Sequence, residues 1–313
     1  QQHGFTVGPT VNACTKGIWM WSEPIPFENS RGEKMQLLVL DTEGIGGTKS
    51  SSEYDTRIFS LAVLLCSTLI YNSLGSIDET AVANLSFVAN LSQHVQVKAN
   101  QGAGDGDDGD GDDSAATAAD ALASFFPSFM WVIRDFALEL VDEDYNDISE
   151  QDYLENCLKQ KDGFSSDVLE KNRIRKSLTN FFKNRDCATI VRPIDDEAKL
   201  HQIDEQPYEA LRPAFRTQME GMRKRVLAQL TAKSLRGKAM SGSMFATLVR
   251  TYVGAMNTDG VPTITTAWDH VATTETKAAM KRSIASFRAA FDEVTGGAPD
   301  FAKLPLDEAV LQA

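Results

Sequence analysis

The sequence predicts a parallel α/β fold of three layers followed by a helical region, and three observations predict it. Apolar runs that end in polar, chemically capable residues recur before Pro193, at Met35 to Leu40, Phe129 to Ile133 and Ala188 to Val191. Segments with helical spacing lie between them. After Pro193 the strand signals stop and helix-favouring stretches take over. Alternating strand and helix suits a parallel sheet, because each crossover between parallel strands needs a helix-sized connection.

Gly17 to Trp21 (GIWMW), followed by Pro24 and Pro26, predicts an edge strand, since proline cannot donate to a central ladder; its tryptophans read as packing residues. Met35 to Leu40 (MQLLVL) reads as a buried parallel strand that drops into Asp41-Thr42-Glu43-Gly44. The apolar segment Leu61 to Tyr71 predicts a strand in its latter half, and Asp78 to Gln96 predicts a helix through Val82, Leu85, Val88 and Leu91. Gln101 to Asp113, almost all Gly and Asp, predicts a disordered surface loop. Asp108, Asp110 and Asp112 imitate the start of a calcium loop, but Asp113 stands where glycine should and Ala119 where the bidentate Glu should, so no calcium site is expected. Further on, Tyr208 to Leu235, Ser243 to Met256 and Thr273 to Val294 predict helices. Pro262 opens another, with Trp268 in the core, and Leu304 to Leu311 reads as an apolar helical start.

The chain has 313 residues, 42% hydrophobic, enough for a sizeable core and about two domains. Its 31 Lys and Arg against 44 Asp and Glu leave a net charge of −13, which argues against a sequence-independent grip on nucleic acid. An anionic ligand needs a local site instead. Cys14, Cys66, Cys157 and Cys187 are scattered without a C-x-x-C pair, and read as reduced thiols of a cytosolic protein. No apolar stretch reaches the ~18 to 20 residues of a membrane span, and no signal peptide opens the chain. Because the sequence begins at Gln1 inside a motif-rich segment, it reads as missing its true start, and its end reads as cut within a helical domain.

A carboxylate at a strand end followed by x-x-Gly is what a Mg²⁺-nucleotide site requires: Asp41 for the hydrated metal, Gly44 for backbone approach to a terminal phosphate. Taken alone, the same four residues are equally a strand-ending turn. Thr15, in a segment upstream, can offer its hydroxyl to Mg²⁺ and its carbonyl to an attacking water. Asp135 can accept both hydrogens that guanine presents on N1 and N2, a pair adenine lacks, and Arg134 can lie along a flat base. Without that context, Arg134 and Asp135 are a surface ion pair. His3, His94, His201 and His270 have no mutual metal spacing, no G-x-S-x-G elbow exists, and Arg223-Lys224-Arg225 reads as a solvated helix face.

Four segments, TKGIWMW (Thr15 to Trp21), VLDTEG (Val39 to Gly44), YNSLGSID (Tyr71 to Asp78) and FFPSFMWVIRDF (Phe125 to Phe136), in this order closely resemble the guanylate-binding protein family of large dynamin-related GTPases. The likeness extends through DYLE (Asp152 to Glu155), Arg192-Pro193 and TYVGAMNTDGVP (Thr251 to Pro262), nearly the whole chain. Atlastins share the D-T-x-G and R-D elements but are less similar at TKGIWMW.

The resemblance implies a P-loop GTPase-like domain over residues 1–198, lacking its first strand and phosphate loop. Residues 199–313 would end that domain and begin an incomplete helical one. It also implies GTP and GDP as ligands, Mg²⁺ as cofactor, hydrolysis to GDP and in some relatives GMP, and a GTP-dependent homodimer or oligomer. A cytoplasmic location is also implied, with membrane association open through regions outside these residues. Thr15 would be the switch threonine contacting Mg²⁺ and water, Asp41 the metal-shell carboxylate, Glu43 the group orienting the water network and Gly44 the contact to the terminal phosphate. Arg134 and Asp135 would recognise guanine, and Arg192 would belong to the guanine cap. Two departures stand out. Ala13 replaces the family's serine before the switch threonine, and G-x-x-x-x-G-K-[ST] is nowhere in the chain; Gly47-Thr48-Lys49-Ser50 and Gly237-Lys238-Ala239 are incomplete imitations. Little GTP turnover is therefore expected from these residues alone. The rival readings are a non-hydrolysing pseudo-GTPase scaffold and an atlastin-like membrane tether.

Overall fold

The computed structural model describes residues 5, 15–29, 31–44, 51–89, 125–235, 238–258 and 264–295. Its first elements are short strands, β1 (Ile18–Met20), β2 (Ile25–Glu28), β3 (Lys34–Leu37) and β4 (Leu40–Thr42). β2 and β3 form a hairpin because Asn29 Oδ1 accepts the N–H of Arg31 and of Glu33, and Gly32 supplies the left-handed residue of the turn. β1 and β4 pair antiparallel. MQLLVL is thus not one buried parallel strand. Its first half is a hairpin arm in which Met35 and Leu37 are half-buried and Lys34 and Gln36 exposed, and its last residue opens an antiparallel ribbon. Trp19 does not pack either: it is 45% exposed and its indole donates to the Lys16 carbonyl.

The chain continues through α1 (Ser52–Leu65), β5 (Thr68–Leu74), α2 (Glu79–Ala83), α3 (Ser86–Ala89), β6 (Ser128–Arg134), α4 (Glu150–Cys157), α5 (Ser166–Phe181) and β7 (Arg185–Ile190). Then follow α6 (Glu197–Leu200), α7 (Pro213–Gln229), the small hairpin of β8 (Ser234–Leu235) and β9 (Lys238–Ala239), α8 (Gly242–Asn257) and α9 (Ile264–Thr295). Ser51, Asp78, Ser149, Ser165 and Ser241 cap their helices, Ser149 in a full capping box with Asp152.

β5, β6 and β7 make a parallel sheet in that order, with Leu74, Arg134 and Ile190 in register at its C-terminal edge. Phe129 to Ile133 of the central strand are buried on both faces. Phe129, Trp131 and Ile133 belong to the core that also holds Phe59 and Val63 of α1 and Leu178 and Phe181 of α5. Met130 and Val132, with Ala188 and Ile190, meet Phe215, Met219, Met222 and Val226 of α7 on the other face. Helices on both faces of a parallel sheet are the α/β class expected, and a long helical region follows it. Leu248 and Tyr252 of α8, and Ile264, Ala267 and Val271 of α9, complete the first core.

Val82, Leu85 and Val88 are buried as their spacing predicts, while Leu91 and Gln101 to Asp113 lie outside the described residues. The helix expected over Tyr208 to Leu235 starts only at Pro213, which suits a first helical turn, and stops at Gln229. The two helices expected around Pro262 and Thr273 are one. Trp268 sits edge-on to Phe125, with ring centroids 4.9 Å apart, and its indole donates to the Tyr252 hydroxyl. Cys66, Cys157 and Cys187 are free thiols; burial pushes the first up to about 12. Among the described residues no helix is long and apolar enough to cross a membrane.

Candidate functional site

The β1–β4 ribbon brings together the first group of site residues. Trp19 pairs with Asp41 and Ile18 with Thr42, so the segment entering β1 runs beside the end of β4. The Thr15 hydroxyl donates to Asp41 Oδ2 at 2.5 Å, across 26 positions of chain. Glu43 and Gly17 bond twice: the Gly17 N–H donates to Glu43 Oε1 at 3.0 Å, and the Glu43 N–H to the Gly17 carbonyl at 3.0 Å. Thr15 is buried and Asp41 and Glu43 half-buried. Gly44 is exposed, with nothing within 4 Å of where a Cβ would stand, so the protein's own packing makes no demand for glycine there. Leu40 ties the ribbon to the main core.

A second group stands at the C-terminal edge of the parallel sheet, where ligands of open α/β sheets bind. Arg134 ends β6 and Asp135 follows with φ 54°, a left-handed conformation that aspartate tolerates better than most residues. That turn aims the next N–H, of Phe136, at the Ile190 carbonyl of β7, and Phe136 is buried against Tyr153. Both side chains are exposed and hold no hydrogen bond or ion pair to another described residue. Arg192 leaves the neighbouring strand two residues beyond Ile190. Its Nη2 lies 3.5 Å from Glu197 Oε1, and its Nε is buried without a partner. Arg212 braces this loop through the carbonyls of Arg192 and Pro193 and through Asp195 at 3.2 Å. No hydrogen bond joins the two groups among the described residues.

The match to known proteins is extensive. The family model described as guanylate-binding protein, N-terminal domain, matches residues 1–235, and that of the guanylate-binding protein, C-terminal domain, matches residues 236–301. The chain belongs to the guanylate-binding protein family. It is 36% identical over 285 residues to guanylate-binding protein 7 of Mus musculus, covering 90% of this chain and 42% of that protein, and equally to guanylate-binding protein 4 of Homo sapiens. Human guanylate-binding protein 2 is 35% identical over 289 residues, 92% of this chain and 46% of its own length. The chain thus spans less than half the length of these relatives.

Ala13 of this family member lies outside the described residues. One neighbour of the site escaped the sequence reading. Tyr54, in the first turn of α1, faces Glu43, whose carboxylate lifts the phenol above its ordinary range chiefly by accepting its hydrogen bond. Only the helix start at Ser51, shortly after the glycine turn, hints at that proximity in sequence.

Proposed function

We propose that the complete protein binds GTP and hydrolyses it with Mg²⁺, using Thr15, Asp41, Glu43 and Gly44 on the metal side and Arg134 and Asp135 on the base side. Arg192 belongs to the segment covering the base. The observation that carries the reading is the 2.5 Å contact between Thr15 and Asp41, which puts two hard oxygen donors together at a strand end. No group of three or more His, Cys, Asp or Glu side chains able to hold a metal exists among the described residues. A metal here would take its remaining oxygens from water and nucleotide, as Mg²⁺ does in phosphate sites. When bound, Mg²⁺ would neutralise charge on the phosphates.

The chain's own residues would do the positioning. Glu43, fixed by the Gly17 N–H, offers a carboxylate that orders water, and Asp135 offers two acceptor oxygens to the guanine edge. Gly44 leaves space for its own N–H to reach a phosphate oxygen. The phosphate loop is not in this sequence. Among the described residues β5 is paired on one edge only, and Ile70 and Leu74 on it are 46% and 63% exposed. That bare edge supports a further strand and helix, bearing the loop, packing there from outside these residues, and little turnover by the 313 residues alone. We assign residues 1–198 to the GTPase domain and 199–313 to helices that finish it and begin a helical domain. GTP-dependent self-association in the cytoplasm completes the proposal.

Titration of fluorescent GTP and ATP into the complete protein, with Mg²⁺ and with chelator, tests this. Asp41→Ala should weaken the Mg²⁺-dependent part of GTP binding about 10-fold or more. An unchanged Mg²⁺ dependence would remove the metal role, and absence of any nucleotide binding by the complete protein would favour the scaffold reading.

A further inference from the structure

Asp152 to Glu155 (DYLE), part of the likeness to the family, lies in α4, behind the base side of the candidate site. Asp135 can hold its carboxylate in one direction only if its backbone is fixed, because the peptide planes on either side of a Cα set φ and ψ. Both planes are held. The Gly75 N–H, just past β5, donates to the Arg134 carbonyl at 2.8 Å, and the Phe136 N–H donates to the Ile190 carbonyl of β7 at 3.0 Å. The left-handed residue is thus gripped from one neighbouring strand on each flank.

One side chain backs both grips. The Tyr153 hydroxyl accepts the Ile77 N–H at 2.9 Å, two residues beyond Gly75, and its ring lies against that of Phe136 with centroids 5.9 Å apart. Cys157, one turn further along α4, reaches the Ile77 carbonyl with Sγ at 3.7 Å, so the helix holds this buried residue through both its N–H and its C=O. The helix is itself fixed to β7. Glu150 accepts the Thr189 N–H and hydroxyl, and Glu155 takes the Arg185 guanidinium on both carboxylate oxygens, at 3.0 and 2.9 Å. We propose that Tyr153 is a positioning residue for guanine recognition, holding Asp135 and the turn after β5 in one arrangement; the proposal rests on the assignment of Asp135 to the base. Tyr153 acts through Ile77 and Phe136, not on the nucleotide. A misplacement of about 1 Å in a positioned group can cost about 100-fold, so loosening either grip is felt as lost selectivity.

Competition between GDP and ADP for the complete protein measures base preference, and denaturant unfolding measures stability. Tyr153→Phe keeps the ring and removes the hydroxyl. It should cut the GDP-over-ADP ratio at least about 3-fold, and Tyr153→Leu, which loses both contacts, at least about 10-fold. Should Tyr153→Leu fail to fold, Tyr153→Phe alone decides. Glu155→Gln, which weakens the same helix at its tie to Arg185, should lower stability and leave the ratio unchanged. In the 313-residue chain, Tyr153→Phe should speed exchange of the Gly75 and Ile77 amides at least about 5-fold while those of β6 stay protected. Asp135→Asn separates the two assignments. If it and the Tyr153 variants all leave the ratio intact, Asp135 does not read the base and the proposal falls with that assignment. If Asp135→Asn lowers the ratio and Tyr153→Phe does not, if Glu155→Gln lowers it as much as Tyr153→Phe, or if the Gly75 and Ile77 amides exchange as before, the positioning role is overturned and the base assignment stands.

Discussion

Arg134 and Asp135 leave a strand whose middle is buried on both faces, whereas Thr15, Asp41 and Glu43 are held by a two-stranded ribbon and a few polar contacts. The first pair inherits its position from the core of the molecule. The second group depends on hydrogen bonds worth about 0.5–1.5 kcal/mol net apiece, which water or an incoming ligand can replace. In the function proposed above, the base side would be the fixed part and the phosphate side the adjustable one.

Four substitutions probe that contrast, in descending order of their effect on stability. Trp131→Ala should cost about 3–5 kcal/mol, because the indole is fully buried and donates to Ser73 Oγ at 2.8 Å. Denaturant unfolding measures it, and a loss below about 1 kcal/mol would mean the sheet is not the rigid half. Arg175→Met should cost about 1–3 kcal/mol, since the guanidinium is buried and bonded to Glu79 at 2.6 Å and to the Cys157 carbonyl. Lys161 first, and Arg175 with it, hold the Glu79 carboxyl below its ordinary range. A depressed folded value gives stability above the unfolded carboxylate pKa that is lost as pH falls through the folded one. The gap between Arg175→Met and the unmodified chain should therefore narrow in acid, and a gap that widens there would exclude the pair as its origin.

Thr15→Val should lower the melting free energy by only about 0.5–1.5 kcal/mol, because half-exposed Asp41 can turn to water. A larger loss would show that the ribbon is as fixed as the sheet. Asp135→Asn should change stability by less than about 0.5 kcal/mol, since asparagine accepts the same left-handed backbone. In the complete protein it should nonetheless cut the preference for GTP over ATP about 10-fold or more. Competition binding reads that ratio.

The sheet was legible because an apolar run such as Phe129 to Ile133 has few alternatives once it must be buried on both faces. MQLLVL was misread for the same physical reason turned around. An apolar run does not state its pairing partner, and the Asn29 and Gly32 turn chemistry that sends it back as a hairpin arm lies upstream of it. α4 and α5 were missed because their interiors are rich in charge, although Ser149 and Ser165 announce both starts. At the site, the place of Asp41 in a strand and of Asp135 just past one was legible, but the roles proposed for them were not, since each motif alone reads equally well as a turn or a surface ion pair. That Thr15 touches Asp41 is a tertiary fact, suggested beforehand only by reading both as Mg²⁺ contacts, and Tyr54 carried no signal beyond the helix start at Ser51.

Helix α1 is gripped along its whole length. Tyr54 in its first turn sits beside Glu43, Arg57 donates to the Met256 carbonyl of α8 at 3.3 Å, and half-buried Lys233 donates to the Cys66 carbonyl at its far end at 3.0 Å. With its side chains locked into the core between those points, the rod has no slack. α1 and the root of α9 thus share one packed core, from which α9 runs on for roughly 48 Å of helix.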